Sequence, residues 1–184
     1  MREIEIKARV ANKSKLLGVL TAQNVTLSSP VTQRDRVWVP EGMKIGSGLP
    51  SLRIRTETKD GVTKQLFTLK KKSATNQMDS IEHETEIQDE KELTHIIKHL
   101  GFTLFSDSTK TRQKGQLGDL EICIDSVEGL GDFVELEKLT DEETDYDEVA
   151  KELWAVLAPF GVGSGDQVTD GYDVLMRKSL GLKV

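Results

Sequence analysis

Hydrophobic and polar residues alternate along most of this chain, and that alternation predicts strands. In Glu3-Ile4-Glu5-Ile6-Lys7 an extended backbone puts Glu3, Glu5 and Lys7 on one face and Ile4, Ile6, Ala8 and Val10 on the other. The same period of two predicts further strands over about 33–39, 51–58, 62–71, 80–87, 107–114, 119–125 and 132–138. Arg53 and Arg55 oppose Leu52 and Ile54, and Lys64, Leu66, Thr68 and Lys70 alternate with Gln65, Phe67 and Leu69. Glu82, Glu84 and Glu86 share a face, as do Lys110, Arg112 and Lys114, then Asp119, Glu121, Cys123 and Asp125, then Glu135 and Glu137. Asp60-Gly61, between the third and fourth strands, is a hairpin signal.

Helical spacing is confined to a few stretches. Asn12 can cap a helix to about Gln23 that buries Leu16, Leu17 and Leu20. Asp89 and Glu92 form a capping-box-like pair before Leu93, Ile96, Ile97 and Leu100, and Gly101 ends that helix. Thr144 or Asp147 can cap a longer helix carrying Val149, Leu153, Val156, Leu157 and Phe160. A glycine-rich linker, Gly161 to Gly165, and a short helix from about Asp170 close the chain, and the Gly/Pro-rich segment from Glu41 to Ser51 is expected to be a mobile loop. Eight short strands with few helices predict one α+β domain over residues 1–184. Its frame is expected to be a mainly antiparallel barrel or strongly curved sheet with flanking helices.

Composition narrows the partners. A net charge of -6 argues against nucleic acid as the default ligand. The single cysteine, Cys123, excludes an intramolecular disulfide and a cysteine zinc cluster, which fits a reducing cytoplasm. No signal peptide and no membrane-spanning run is visible, so no membrane partner is expected.

The charged faces have a sign structure. Carboxylate pairs mark the first and last strands, and cationic pairs mark the middle ones. A solvated face on an open sheet would account for this. So would a closed sheet in which carboxylates hold hard divalent cations while Arg and Lys hold a polyanion, and a metal-bound triphosphate meets both demands together. Rival motifs are weaker. His95 and His99 lack the glutamate after the first histidine that a zinc-protease helix needs, and read as exposed helix histidines. Gly161-Val162-Gly163-Ser164-Gly165 lacks the Lys-Ser/Thr ending of a phosphate loop. Cys123 has no His partner legible in the sequence.

The residues also carry a resemblance. Glu3-x-Glu5-x-Lys7, Gln33-x-Asp35, Leu52-Arg53-Ile54-Arg55, Thr68-Leu69-Lys70, Glu82-x-Glu84, Lys110-x-Arg112, the run from Ile124 to Glu137 and, more loosely, Tyr172-x-x-Leu175 resemble the CYTH superfamily of triphosphate tunnel metalloenzymes. The likeness implies an eight-stranded β-barrel enclosing a triphosphate tunnel, with Mg²⁺ or Mn²⁺ as cofactor. It implies Glu3, Glu5, Glu135 and Glu137 as metal ligands, with Asp125 a further one. It implies Lys7, Arg53, Arg55, Lys70, Lys110 and Arg112 as the grip on the phosphates of ATP or inorganic triphosphate, with Lys7 and Arg112 at the reacting centre. Glu-Ile-Glu-Ile-Lys-Ala-Arg is most similar to the class IV adenylyl cyclase branch. An inorganic or organic triphosphatase, acting for instance on thiamine triphosphate, and a non-catalytic polyphosphate or nucleotide sensor are the alternatives. Many members have a tyrosine soon after Gln-x-Asp where this chain has Val37-Trp38, so that residue's role does not transfer. Glu82, Glu84 and Glu86 remain open between metal ligands and partners of the cations, and the oligomeric state, a homodimer included, remains open too.

Overall fold

The computed structural model describes residues 2–43, 49–72, 80–141 and 143–183. Eight strands, β1 (Arg2–Arg9), β2 (Val31–Pro40), β3 (Ser51–Lys59), β4 (Val62–Lys72), β5 (Ser80–Ile87), β6 (Phe102–Leu117), β7 (Leu120–Val127) and β8 (Gly131–Thr140), form one sheet in the order β1-β8-β7-β6-β2-β3-β4-β5. Among the described residues four α-helices accompany it: α1 (Lys13–Ala22), α2 (Glu90–His99), α3 (Tyr146–Leu157) and α4 (Tyr172–Ser179). The fold is α+β, with antiparallel pairing of β1 with β8, β8 with β7, β2 with β3, β3 with β4 and β4 with β5. Among the described residues hydrogen bonding does not close the sheet: β1 and β5 end its order. Among the described residues no helix is long and apolar enough to cross a membrane.

The chain divides into two compact units. The first comprises residues 1–30, 111–127 and 131–169, and the second comprises 31–110, 128–130 and 170–184. In the first unit, alternation along β1, β7 and β8 sends Ile4, Ile6, Ala8, Leu120, Ile122, Ile124, Val134 and Leu136 into one core. Leu16 and Leu20 of α1 and Val149, Leu153 and Leu157 of α3 cover it. Asn12 caps α1 by accepting from Lys15 N at 2.9 Å. α3 is capped by Asp145, whose Oδ1 accepts from the amides of Asp147 and Glu148, so the cap falls between the two residues expected. Gly115 of β6 bridges to Leu27, and a Cβ there would lie 2.9 Å from Leu27 Cδ2 and 3.1 Å from Thr26 O, so a side chain at this position would force its neighbours to shift. The expected linker after Phe160 contains a 3₁₀ turn, Ser164–Asp166, and the chain then returns to β1, where Val168 N donates to Lys7 O at 2.8 Å.

In the second unit Trp38, Leu52, Ile54 and Ile97 form the buried centre, with Phe67, Leu69, Ile87, Leu93 and Phe102 packed around them. Asp89 caps α2 by accepting from Glu92 N at 2.9 Å. Of the apolar positions expected to anchor α2, Ile97 is buried, while Ile96 and Leu100 stay exposed. Asp60 and Gly61 both have positive φ, 50° and 80°, as the tight hairpin requires. β6 begins at Phe102, earlier than expected, because Gly101 at φ 82° turns the chain straight from α2 into the strand. The segment expected to be a mobile loop lies partly outside the described residues.

Candidate functional site

Each unit keeps one sheet face apolar and loads the other with charge. In the first unit the cross-strand register stacks the charges in rungs: Glu5, Glu137 and Glu121, then Lys7, Glu135 and Cys123, then Arg9, Phe133 and Asp125. Like carboxylates directly opposite each other repel unless something neutralises them. One oxygen each of Glu5, Glu135 and Glu137 lies within 4.8 Å of the others. Oxygen ligands on opposite sides of an octahedral Mg²⁺ stand about 4.2 Å apart, so this trio suits a hard divalent cation. Glu121, Cys123 and Glu137 form a second such group. There, burial pushes the Cys123 thiol well above its ordinary pKa, with Glu137 and Glu135 adding to the push against the opposing pull of Arg112 and Lys114. A neutral thiol is a poor ligand, so the all-oxygen trio fits a metal better.

Two further metal ligands are expected, Glu3 and Asp125. Glu3 pairs along the backbone with Leu139, and its side chain lies outside what the structure describes. Asp125 is fully buried and engaged by Arg112, whose Nε and Nη2 donate to its two oxygens at 2.7 and 2.5 Å. Arg112 also donates to Glu135. Burial opposes the charge on Arg112, but the Asp125 hydrogen bonds and the charges of Glu135 and Asp125 outweigh it and raise the guanidinium's pKa. Lys7 is buried beside Glu135 in the register.

In the second unit the rungs are Gln33, Glu57 and Lys64; Asp35, Arg55, Leu66 and Glu86; Val37, Arg53, Thr68 and Glu84; and Ser51, Lys70 and Glu82. Arg55 makes a two-pronged pair with Asp35, both hydrogen bonds at 2.7 Å. Burial works to raise the Asp35 carboxyl, but the hydrogen bonds and charge of Arg55, with Arg53 and Lys110, hold it below the usual carboxylate range. Arg53 reaches Glu84 at 3.3 Å and Glu82 at 3.6 Å, and Lys70 reaches Glu82 at 2.7 Å. Glu82 and Glu84 are therefore partners of the cations. Arg53 Nε is buried without an acceptor among the described residues. Lys110 is buried, its ammonium 4.9 Å from the centre of the Tyr172 ring at the start of α4. His95 and His99 are exposed on α2, where the His99 ring donates to the His95 carbonyl at 2.8 Å.

The sequence pattern found the charged faces but missed three features that depend on register. These are the Asp35–Arg55 clasp, the use of Asp125 to hold Arg112, and Thr68 donating to Glu84 at 2.8 Å. The signal for the first was present in Gln33-x-Asp35, a polar pair on an otherwise β-forming run.

Comparison with known proteins matches the CYTH domain to residues 1–172. The chain belongs to the CYTH family. Among curated relatives of this CYTH protein is one of Methanocaldococcus jannaschii, provisionally named an adenylate cyclase, 30% identical over 175 residues that cover 94% of this chain and 97% of the relative. Adenylate cyclase CyaB of Aeromonas hydrophila is 29% identical over 182 residues, covering 98% and 91%. The same fold recurs in the PH1819 protein of Pyrococcus horikoshii, with a TM-score of 0.80, 24% identity and coverage of 96% and 99%. It recurs also in HpAC1 of Hippeastrum, with a TM-score of 0.65, 18% identity and coverage of 99% and 97%; that protein is described as having a dominant triphosphatase activity. CYTH proteins act on triphosphates with a divalent metal, and the acidic trio here is consistent with that requirement.

Proposed function

We propose that this CYTH protein is an adenylyl cyclase of the class IV type, which converts ATP to cyclic AMP and pyrophosphate with Mg²⁺ or Mn²⁺ in the cytoplasm. The functional domain of this proposal spans residues 1–184. The observation that carries the reading is the Glu5, Glu135 and Glu137 trio, an oxygen-only ligand set in a chain whose other charged face displays Arg53, Arg55 and Lys70. Glu5, Glu135 and Glu137 would hold the metal, with Glu3, two residues before Glu5 on β1, a further ligand, while Asp125 would act on the site through its pair with Arg112. When bound, a divalent ion neutralises phosphate charge and favours the attacking oxygen as its alkoxide. Arg53, Arg55, Lys70 and Lys110 hold the phosphate chain, and Lys7 and Arg112 meet the charge that builds up on the reacting phosphoryl oxygens. The carboxylates that clasp the cations keep each guanidinium oriented before a ligand arrives, which limits the rearrangement needed on binding.

In the cyclase reaction the ribose 3′-oxygen attacks the α-phosphorus in line and pyrophosphate leaves. The first-strand sequence and full-length relatives named as adenylate cyclases support this choice. The same shell would serve hydrolysis of the terminal phosphate, and Val37-Trp38 in place of a tyrosine favours keeping that second reading. Incubation with ATP and Mg²⁺ or Mn²⁺, with tripolyphosphate in parallel and products separated by chromatography, decides between them. Cyclic AMP with pyrophosphate is expected. Orthophosphate from tripolyphosphate without any cyclic nucleotide would make the protein a triphosphatase. Metal-dependent binding without turnover of either would make it a sensor.

A further inference from the structure

On the cationic face, one buried amide has its acceptor end unused. The Gln33 side chain on β2 is only 6% exposed, and its Nε2 donates to Glu57 Oε2 at 2.7 Å. Lys64 holds Glu57 from the other side at 3.0 Å. Burial works to raise the Glu57 carboxyl, but the Gln33 and Lys64 hydrogen bonds hold it below the usual range. Glu57 is therefore ionised at neutral pH and can only accept. That fixes the amide's orientation: its NH₂ faces Glu57 and its carbonyl faces away. Gln33 Oε1 is buried and has no donor among the described residues. A buried acceptor left without a donor is unfavourable, so such an atom in a binding face marks a place where a ligand group belongs.

The register says which group. Gln33 stands one rung from Asp35 and Arg55, and successive rungs on one face are about 7 Å apart. Arg55, Arg53 and Lys70 occupy the next three rungs in order. Phosphate oxygens are acceptors, and at the Gln33 rung they would meet an amide oxygen and the Glu57 carboxylate, which repel them. A neutral group bearing N–H or O–H suits that rung instead. Ionised tripolyphosphate offers mainly acceptors, whereas a nucleoside offers ribose hydroxyls and, in adenosine, an exocyclic amine.

We infer that Gln33 is a specificity residue, whose Oε1 accepts a hydrogen bond from a ribose hydroxyl or base amine of a nucleoside triphosphate bound along Arg55, Arg53 and Lys70. This rests on the reading that the face holds a triphosphate. It adds that the face distinguishes a nucleotide from the inorganic chain.

The test titrates two non-cleavable ligands in Mg²⁺: ATP with methylene bridges at both phosphate linkages, and the matching methylene-bridged tripolyphosphate. Gln33→Met keeps the side-chain length and removes the acceptor. It should weaken the ATP analogue roughly five- to tenfold and leave the inorganic chain unchanged, a contrast that a purely structural role would not produce. In the wild-type protein, analogues lacking the 2′-hydroxyl, the 3′-hydroxyl or the 6-amino group identify the donor. At least one should lose a similar factor, and that loss should vanish in Gln33→Met. Equal weakening of both ligands, or no loss with any analogue in the wild type, overturns the role of Gln33 while the triphosphate reading stands. Failure of the wild type to bind either ligand removes the triphosphate reading and this inference with it.

Discussion

Replacing Arg112 with methionine probes the charged centre of the first unit directly. The Arg112 side chain is 12% exposed, and its guanidinium serves Asp125, whose side chain is fully buried, together with Glu135. Methionine fills much of the volume but removes the guanidinium that two neighbouring carboxylates share. Breaking a buried pair from one side costs about 3–5 kcal/mol, because the remaining charge keeps its desolvation penalty. At about 2–4 °C per kcal/mol for a chain of this size, the melting temperature should fall by roughly 6–20 °C at pH 8. The loss should also depend on pH. In the variant, loss of the Arg112 charge lets burial dominate, which should lift the folded-state pKa of Asp125 above its unfolded value of about 4. Folding then favours proton uptake, so the variant's stability is highest below about pH 4 and declines as pH rises through the lifted pKa. The gap to wild type should therefore be smaller at pH 5 than at pH 8, and adding Asp125→Asn should recover much of it. Melting curves of the three proteins at both pH values, without metal or nucleotide, provide the check. A single variant within 2 °C of wild type at both pH values would mean that Arg112 does not neutralise these carboxylates in the folded protein.

Other substitutions separate metal, phosphate and clasp. Glu5→Ala should abolish turnover and the stabilisation that tripolyphosphate with Mg²⁺ confers, about 2.7 kcal/mol at a hundredfold ligand excess, while leaving the ligand-free melt unchanged or slightly higher; a lower ligand-free melt would make Glu5 structural. Arg55→Ala should weaken a non-cleavable ATP analogue about tenfold or more and AMP far less, and equal losses in calorimetry would remove Arg55 from the phosphate grip. Asp35→Asn should cost stability at neutral pH. Because the folded Asp35 carboxyl titrates below its unfolded value, that cost should be constant above about pH 5 and fade as pH drops below about 4; a cost that persists unchanged at pH 3 would contradict the clasp.

The strand and helix plan was legible because alternation is a local property. Ile4-Glu5-Ile6 and Leu52-Arg53-Ile54 each assign their own faces without reference to any other strand. α1 and α2 were legible for the same reason, since Asn12 and Asp89 sit at the cap and the apolar spacing follows. The partner of each charge was not legible, because it depends on register. Nothing local in Arg53 says that Thr68 and Glu84 lie opposite, and nothing in Asp125 says that Arg112 will take both its oxygens. The reach of β6 was underestimated because Phe102 to Ser106 mixes apolar and polar residues without strict alternation, while the deciding feature is the positive φ of Gly101. The resemblance supplied the chemistry that period-two patterns cannot.

Cys123 gives the protein a built-in clock. It is the chain's one thiol, is wholly enclosed in the sheet between Glu121 and Glu137, and is held protonated by its surroundings. Thiol reagents attack the thiolate, so the closed sheet should be inert to them and labelling should proceed only through opened molecules. The labelling rate, divided by that of an unstructured cysteine peptide under the same conditions, then measures the equilibrium for opening around β7 and β8. Metal and nucleotide that gather at the neighbouring carboxylates would slow that clock in proportion to how tightly they bind. A reagent that never touches the ligand could thus time its occupancy.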